Sequence, residues 1–119
     1  RLPNGWQVFK INGPLFFAAA DRIFGELAVL ARNARGFILY MDGVTILDAG
    51  GLSALNKLIA TCERDGTQIV IADLQFQPLR TLARAGVAPI AGVSRYTSSL
   101  DEALRLISCP ASETDRASG

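Results

Sequence analysis

No histidine occurs among the 119 residues. That removes the usual general base near neutral pH and the commonest neutral metal ligand. A Ser-His-Asp arrangement is therefore impossible. Cysteine is scarce as well, with only Cys62 and Cys109. They do not form a Cys-x-x-Cys pair, so zinc and thioredoxin-like chemistry lack support. Two such residues set no disulfide framework, and a reducing compartment is the default. No Gly-x-x-x-x-Gly-Lys-Ser/Thr run is present, and no Gly-x-Gly-x-x-Gly run follows a strand. The longest apolar runs are Leu15–Ala20 and Phe37–Met41, far short of the roughly 18 residues that cross a bilayer. Neither a basic n-region nor an apolar h-region stands at the start, so no signal peptide is expected. Basic and acidic residues number 12 and 11, for a net charge of +1. A nucleic-acid binder would carry a strong basic excess. So small a net charge also favours association, a homodimer included. These absences leave no catalytic, cofactor-binding or metal-binding residue to name. The chain reads as an interaction module and not as an enzyme.

What is present is apolar. Half of the residues are hydrophobic and 19% are charged, and the mean hydropathy is +0.27. Buried parallel strands account for this, because both faces of such a sheet are covered. The length fits one ordinary domain. Residues 1–107 carry the periodic elements, and 108–119 are polar with Pro110. The chain is expected to be a domain of a longer protein with a loose C-terminal tail.

Trp6–Ile11 alternates apolar and polar, as a strand with one wet face does, and Asn12-Gly13-Pro14 ends it. From about Ala18 to Ala34 the pattern is helical, with Ile23, Phe24, Leu27, Leu30 and Ala31 on one face and Gly36 as the stop. Phe37–Met41 is a central strand that Asp42-Gly43 breaks, and Val44–Leu47 is a second short β-rich piece. A helix from Leu52 puts Leu55, Leu58, Ile59 and Cys62 on one face, and Asp65-Gly66 closes it. Cys62 is then a small core residue. Thr67–Ala72 is another buried strand. A helix follows over about Gln77–Ala85, with Leu79, Leu82 and Ala83 inward. Any strand in Val87–Val93 is short or on an edge, because Pro89 and Gly92 interrupt it. Ser98 or Ser99 can cap a last helix with a stripe of Leu100, Ala103, Leu104 and Ile107. Strands alternating with helices imply an α/β fold with a mainly parallel sheet.

Asp42, Asp48 and Asp73 each follow a strand, so the sheet would bring them to its C-terminal edge, where sites usually lie. Aspartate commonly caps turns and helices there. Asp48-Ala49-Gly50-Gly51 opens a helix, and its two glycines permit tight passage or positive φ. Asp48 can accept a hydrogen bond from a first-turn N–H and offset the positive helix end, which disfavours an anion in that place. Arg80 and Arg84, four apart, share a helix face. With Arg95 and Arg105 beside them they would form a basic patch for an acidic cytosolic protein or anionic lipid head groups.

Val44-Thr45-Ile46-Leu47-Asp48-Ala49-Gly50-Gly51-Leu52, followed by Leu55, resembles the signature turn of STAS domains, named for sulfate transporters and anti-sigma-factor antagonists. Gly13-Pro14-Leu15-Phe16-Phe17 with Ala20-Asp21 is similar to the first strand–helix junction of the transporter branch, the SulP carriers. Within it the chain resembles the C-terminal domain of enterobacterial dicarboxylic acid carriers. Gly66-Thr67 and Asp101-Glu102-Ala103-Leu104 also fit. The resemblance implies a sheet of about four strands, an N-terminal edge strand, and about four helices packed mostly on one side. It implies a regulatory and protein-docking domain on the cytoplasmic face of the bacterial inner membrane, beside the carrier's own transmembrane domain. The docking candidates are Asp48, Ala49, Gly50, Gly51, Ser53, Arg80 and Arg84. In the antagonists the turn carries a phosphorylatable serine. Here Gly50 stands in its place, leaving Ser53 and Thr45 as the nearest hydroxyls. A stand-alone antagonist without that serine and a nucleotide-binding module are the alternatives.

Overall fold

The computed structural model describes residues 2–108. The polar stretch 109–119, with Cys109, lies outside the described residues. The elements are β1 (Trp6–Asn12), α1 (Phe17–Leu30), β2 (Gly36–Gly43), α2 (Ala49–Asp65), β3 (Gln68–Ala72), α3 (Phe76–Arg84), β4 (Ser94–Thr97) and α4 (Leu100–Ser108). The four strands form one sheet in the order β1-β2-β3-β4, and every pair is parallel. The α/β expectation holds, with β1 at an edge.

The sequential order explains the layering. Crossovers between parallel strands are right-handed almost without exception, so successive connections in one direction put their helices on the same face. Residues of α1, α2 and α3 share the larger core with Phe37, Leu39, Met41, Ile69 and Ile71. The helix α4 connects no strands and is free to take the other face. There Ala103 meets Ile38, Val70 and Ala72. Alternation along the strands sorts the two sets. Phe9 reaches across from β1 to Phe37, edge to face, with ring centroids 5.5 Å apart, a favoured aromatic geometry.

Several sequence expectations are corrected. Helix α1 stops at Leu30, and Gly36 opens β2. Its buried stripe is Ala20, Phe24 and Leu27, continued by Ala31. Leu30 is 63% exposed, because at about 100° per residue it sits roughly 80° from that stripe. Val44–Leu47 is not a strand. Val44 and Leu47 are buried in the core, and Leu47 makes an isolated bridge to Leu15. Helix α2 starts three residues before Leu52, at Ala49, because Asp48 caps it there. In α3 the inward residues are Pro78 and Leu82, whereas Leu79 and Ala83 are exposed. The edge strand β4 follows the Val87–Val93 segment instead of lying in it. Asp42 and Gly43 extend β2 instead of breaking it, whereas three helix ends agree with expectation. Gly66 takes a left-handed conformation and closes α2, the Ser99 hydroxyl accepts from the Glu102 N–H at 3.0 Å, and Ala103 anchors α4.

Candidate docking site at the carboxyl edge of the sheet

The turn after β2 is built by two segments distant in sequence. The Leu15 N–H donates to the Ile46 carbonyl at 2.8 Å, and the Asp48 N–H donates to the Leu15 carbonyl at 3.4 Å. Leu15 and Leu47 are both fully buried, so this short parallel contact is sealed by apolar packing. From there α2 can begin. The Gly51 N–H donates to Asp48 Oδ1 at 2.7 Å, which satisfies one of the first-turn donors.

The glycines serve close approach. Neither Gly50 nor Gly51 has positive φ. A Cβ on Gly50 would lie 2.4 Å from the Cβ of Phe17, and one on Gly51 would lie 2.4 Å from the Leu15 carbonyl oxygen. The Leu15-Phe16-Phe17 segment and the Asp48–Gly51 turn are therefore two halves of one interlocked junction. Gly50 lacks a hydroxyl, and a serine there would also collide with Phe17.

Helix α3 is fastened to the same turn. Gln77 accepts from the Leu47 N–H at 2.8 Å and donates to the Leu47 carbonyl at 3.2 Å. The Thr81 hydroxyl donates to that carbonyl at 3.3 Å, and the Gln75 amide donates to the Asp42 carbonyl. These bonds satisfy backbone groups that the interrupted strand leaves unpaired. They also hold the outer face of α3, with Phe76, Leu79, Arg80 and Ala83, at the rim. The Arg80 guanidinium lies 5.7 Å from the Phe76 ring centroid, within the range of a cation–π contact.

The expected docking residues thus play different parts. Ala49 and Ser53 are exposed, Asp48 and Gly50 are half-buried, and Gly51 is buried. Arg80 and Arg84 are exposed on α3. The four-arginine patch does not assemble. Arg95 is in register with Val70, so it points to the face that α4 covers, and it donates to Gln68 at 3.2 Å. Arg105 lies on α4 and pairs with Asp101 at 2.9 Å. Both sit across the sheet from α3.

The three aspartates lie at this edge but play different parts. Asp48 is the cap. Asp42 pairs with Lys10 and accepts from the Tyr40 hydroxyl at 3.1 Å. The Lys10 bond holds the Asp42 carboxyl below its ordinary range. Lys10 itself is raised by the same bond and stands 4.4 Å over the Tyr40 ring. Asp73 adopts φ 62° in the turn after β3, where its N–H donates to the Thr97 carbonyl at 3.0 Å. No group of three His, Cys, Asp or Glu residues that could hold a metal occurs among the described residues. The strand order never reverses, so this sheet lacks the switch-point crevice in which open α/β sheets bind small ligands. Cys62 is buried, and burial pushes its thiol up to about 11, which suits a core residue and not a nucleophile.

Sequence reasoning missed the most exposed feature of this edge. Phe16, Phe17, Ile46, Phe76 and Leu79 are all 41% exposed or more, and all belong to the three segments just described. The periodicity of α3 carried a signal, since Phe76, Leu79 and Ala83 repeat on one side. The expectation instead put Leu79 and Ala83 inward together with Leu82, although Leu82 shares its side with Pro78.

The comparisons with known proteins agree with this architecture. A family model described as STAS domain matches residues 3–103. A protein of Arabidopsis thaliana named probable sulfate transporter 4.2 is 28% identical over 116 residues, 87% of this chain and 17% of that protein. The chain thus spans about a sixth of that relative's length. The crystal structure of a sulfate transporter family protein from Wolinella succinogenes superposes with a TM-score of 0.77 at 33% identity, covering 91% of this chain and 88% of that one. The SulP transporter STAS domain from Vibrio cholerae shares the fold, with a TM-score of 0.70 at 22% identity and coverage of 100% and 89%. STAS is not an enzyme family, and no helix among the described residues is long and apolar enough to cross a membrane. This chain belongs to the STAS domain family, in the branch found in SulP-type sulfate transporters.

Proposed function

We propose that this chain is the cytoplasmic regulatory and protein-docking domain of a SulP-type secondary anion carrier at the bacterial inner membrane. The transported anion is a dicarboxylate or a related species. The family match and the names of the relatives support the carrier context. The observation that carries the docking role is the concentration of exposed apolar side chains around the Asp48 turn. Such patches on soluble domains commonly mark interaction surfaces. The carrier's own transmembrane domain and an acidic cytosolic regulatory protein are the partners this reading names. Arg80 and Arg84 at the rim suit the acidic one.

Uptake by the full-length carrier tests the reading. Replacing Ile46 and Phe76 together by serine should change succinate uptake at least severalfold while leaving carrier abundance in the membrane unchanged. Uptake identical to the parent protein would overturn the docking role. Sulfate uptake without succinate uptake would overturn the dicarboxylate assignment.

A further inference from the structure

We infer that the outer face of α3, together with the phenylalanines that open α1, is a contact surface for the anionic head groups of a lipid membrane. The inference rests on the carrier reading above for one condition only, the nearness of a bilayer.

Seven large apolar side chains are strongly exposed among the described residues, and five of them are at the carboxyl edge. The other two, Val29 and Leu30, end α1 at the opposite end of the sheet. On α3 the outward residues Phe76, Leu79, Arg80 and Ala83 follow the spacing i, i+3, i+4, i+7, and Arg84 adjoins them. That is the apolar-and-basic face of an interfacial helix. Phe76 is 75% exposed, with the Arg80 guanidinium beside its ring. The helix contains no acidic residue. Of the carboxylates in the flanking segments, Asp48 holds the Gly51 N–H, Asp42 pairs with Lys10 and Asp21 with Lys57 at 3.6 Å, while Asp73, in the turn before the helix, lies close enough to Lys10 to raise it. The two arginines therefore act on the surroundings without an acidic neighbour on their own helix.

For the projecting rings, shape favours a lipid surface, which leaves the Asp48–Ser53 turn beside them to a protein partner. The cavities described in this molecule lie between α1 and α2 and beside Trp6 and Leu30, and none of the five side chains lines them. The aromatic groups project from the surface. A fluid head-group layer deforms around projecting rings, whereas a protein partner must supply a matching pocket. Two cations contribute roughly fivefold each in affinity for an anionic surface. Together with the exposed rings these make attachment of the free domain measurable at millimolar lipid, and tethering at the bilayer, where the local concentration is high, strengthens it further.

Co-sedimentation of the 119-residue chain with vesicles tests this. One set is phosphatidylcholine alone, and the other is equal parts phosphatidylcholine and phosphatidylglycerol. The chain should sediment with the anionic set in a salt-sensitive way and much less with the neutral set. Phe76→Ser with Leu79→Ser should abolish sedimentation, and Arg80→Gln with Arg84→Gln should weaken it roughly 30-fold. Val29→Ser with Leu30→Ser should leave it unchanged, with circular dichroism confirming that each variant folds. Equal binding to both vesicle sets, no binding to either, or binding that survives the serine pair at α3 would overturn the inference. Capture by an acidic amphipathic peptide with no vesicle binding would also overturn it, in favour of a protein partner. That result would leave the uptake test of the carrier reading untouched.

Discussion

The two faces of the sheet carry opposite amounts of structure. Beneath α1, α2 and α3 lie Phe37, Leu39, Met41, Ile69 and Ile71, all without exposure. On the other face, among the described residues, one nine-residue helix covers Ile38, Val70 and Ala72, while Trp6, Val8 and Tyr40 are half-buried. Crossover connections force three helices onto one side, and the fourth can cover only part of the other. Equal burial of a residue on the two faces therefore need not mean equal cost of removing it. The thick layer is locked by long helices that cannot collapse into a void. The thin layer can relax by a shift of α4.

Ile71 and Ile38 make the comparison sharpest, since both are fully buried on neighbouring strands. Ile71→Ala should cost about 4–5 kcal/mol and Ile38→Ala about 2–3 kcal/mol, at the two ends of the range for such truncations. Chemical denaturation checks this, and equal costs would break the comparison. Gly51→Ala should follow at about 2–3 kcal/mol, because its Cβ would strike the Leu15 carbonyl and Leu47. Asp48→Ala should cost about 1 kcal/mol by loss of the cap, and Asp48→Asn should recover most of it.

The smallest effect should be confined to the thin face. Glu102 accepts from the Ser98 N–H and hydroxyl at 2.7 and 2.8 Å, which holds its carboxyl below the ordinary value of 4.5. Its contribution to α4 is fully present above that value and is lost as pH falls through the lowered one. Amide protection factors in α4, taken against the intrinsic exchange rate at each pH, should therefore fall as the solution is acidified below pH 4.5, while those in α2 hold. Glu102→Gln should flatten that response. Loss of protection in both helices at the same pH would show a single cooperative unit.

Much of the junction was legible because its causes are local. The Asp48 cap needs only a carboxylate three residues before a free N–H, and that spacing stands in the sequence. The stop at Gly66 and the cap at Ser99 are of the same kind. Val44–Leu47 misled because β-branched residues mark a strand only where a neighbour offers a ladder. Here Leu47 finds Leu15 for one bridge, and Gln77 and Thr81 take its backbone groups instead. The ring of Phe16, Phe17, Ile46, Phe76 and Leu79 was hidden for a related reason. An apolar residue reads as core until the packing shows that no element covers it.

By itself the sequence determined the α/β class, the four helices and three of the four strands in their order, the parallel sheet, the capped turn and the absence of histidine-based catalysis. Composition, periodicity and caps depend on residues close in the chain, so they can be read along it. Only the tertiary structure decided that Gly50 and Gly51 yield space to Phe17 and Leu15, that α3 turns Pro78 and Leu82 inward, and that Arg95 and Arg105 face away from Arg80 and Arg84. Each of these depends on which segment lies opposite, and that is set by the sheet order and the hand of its crossovers.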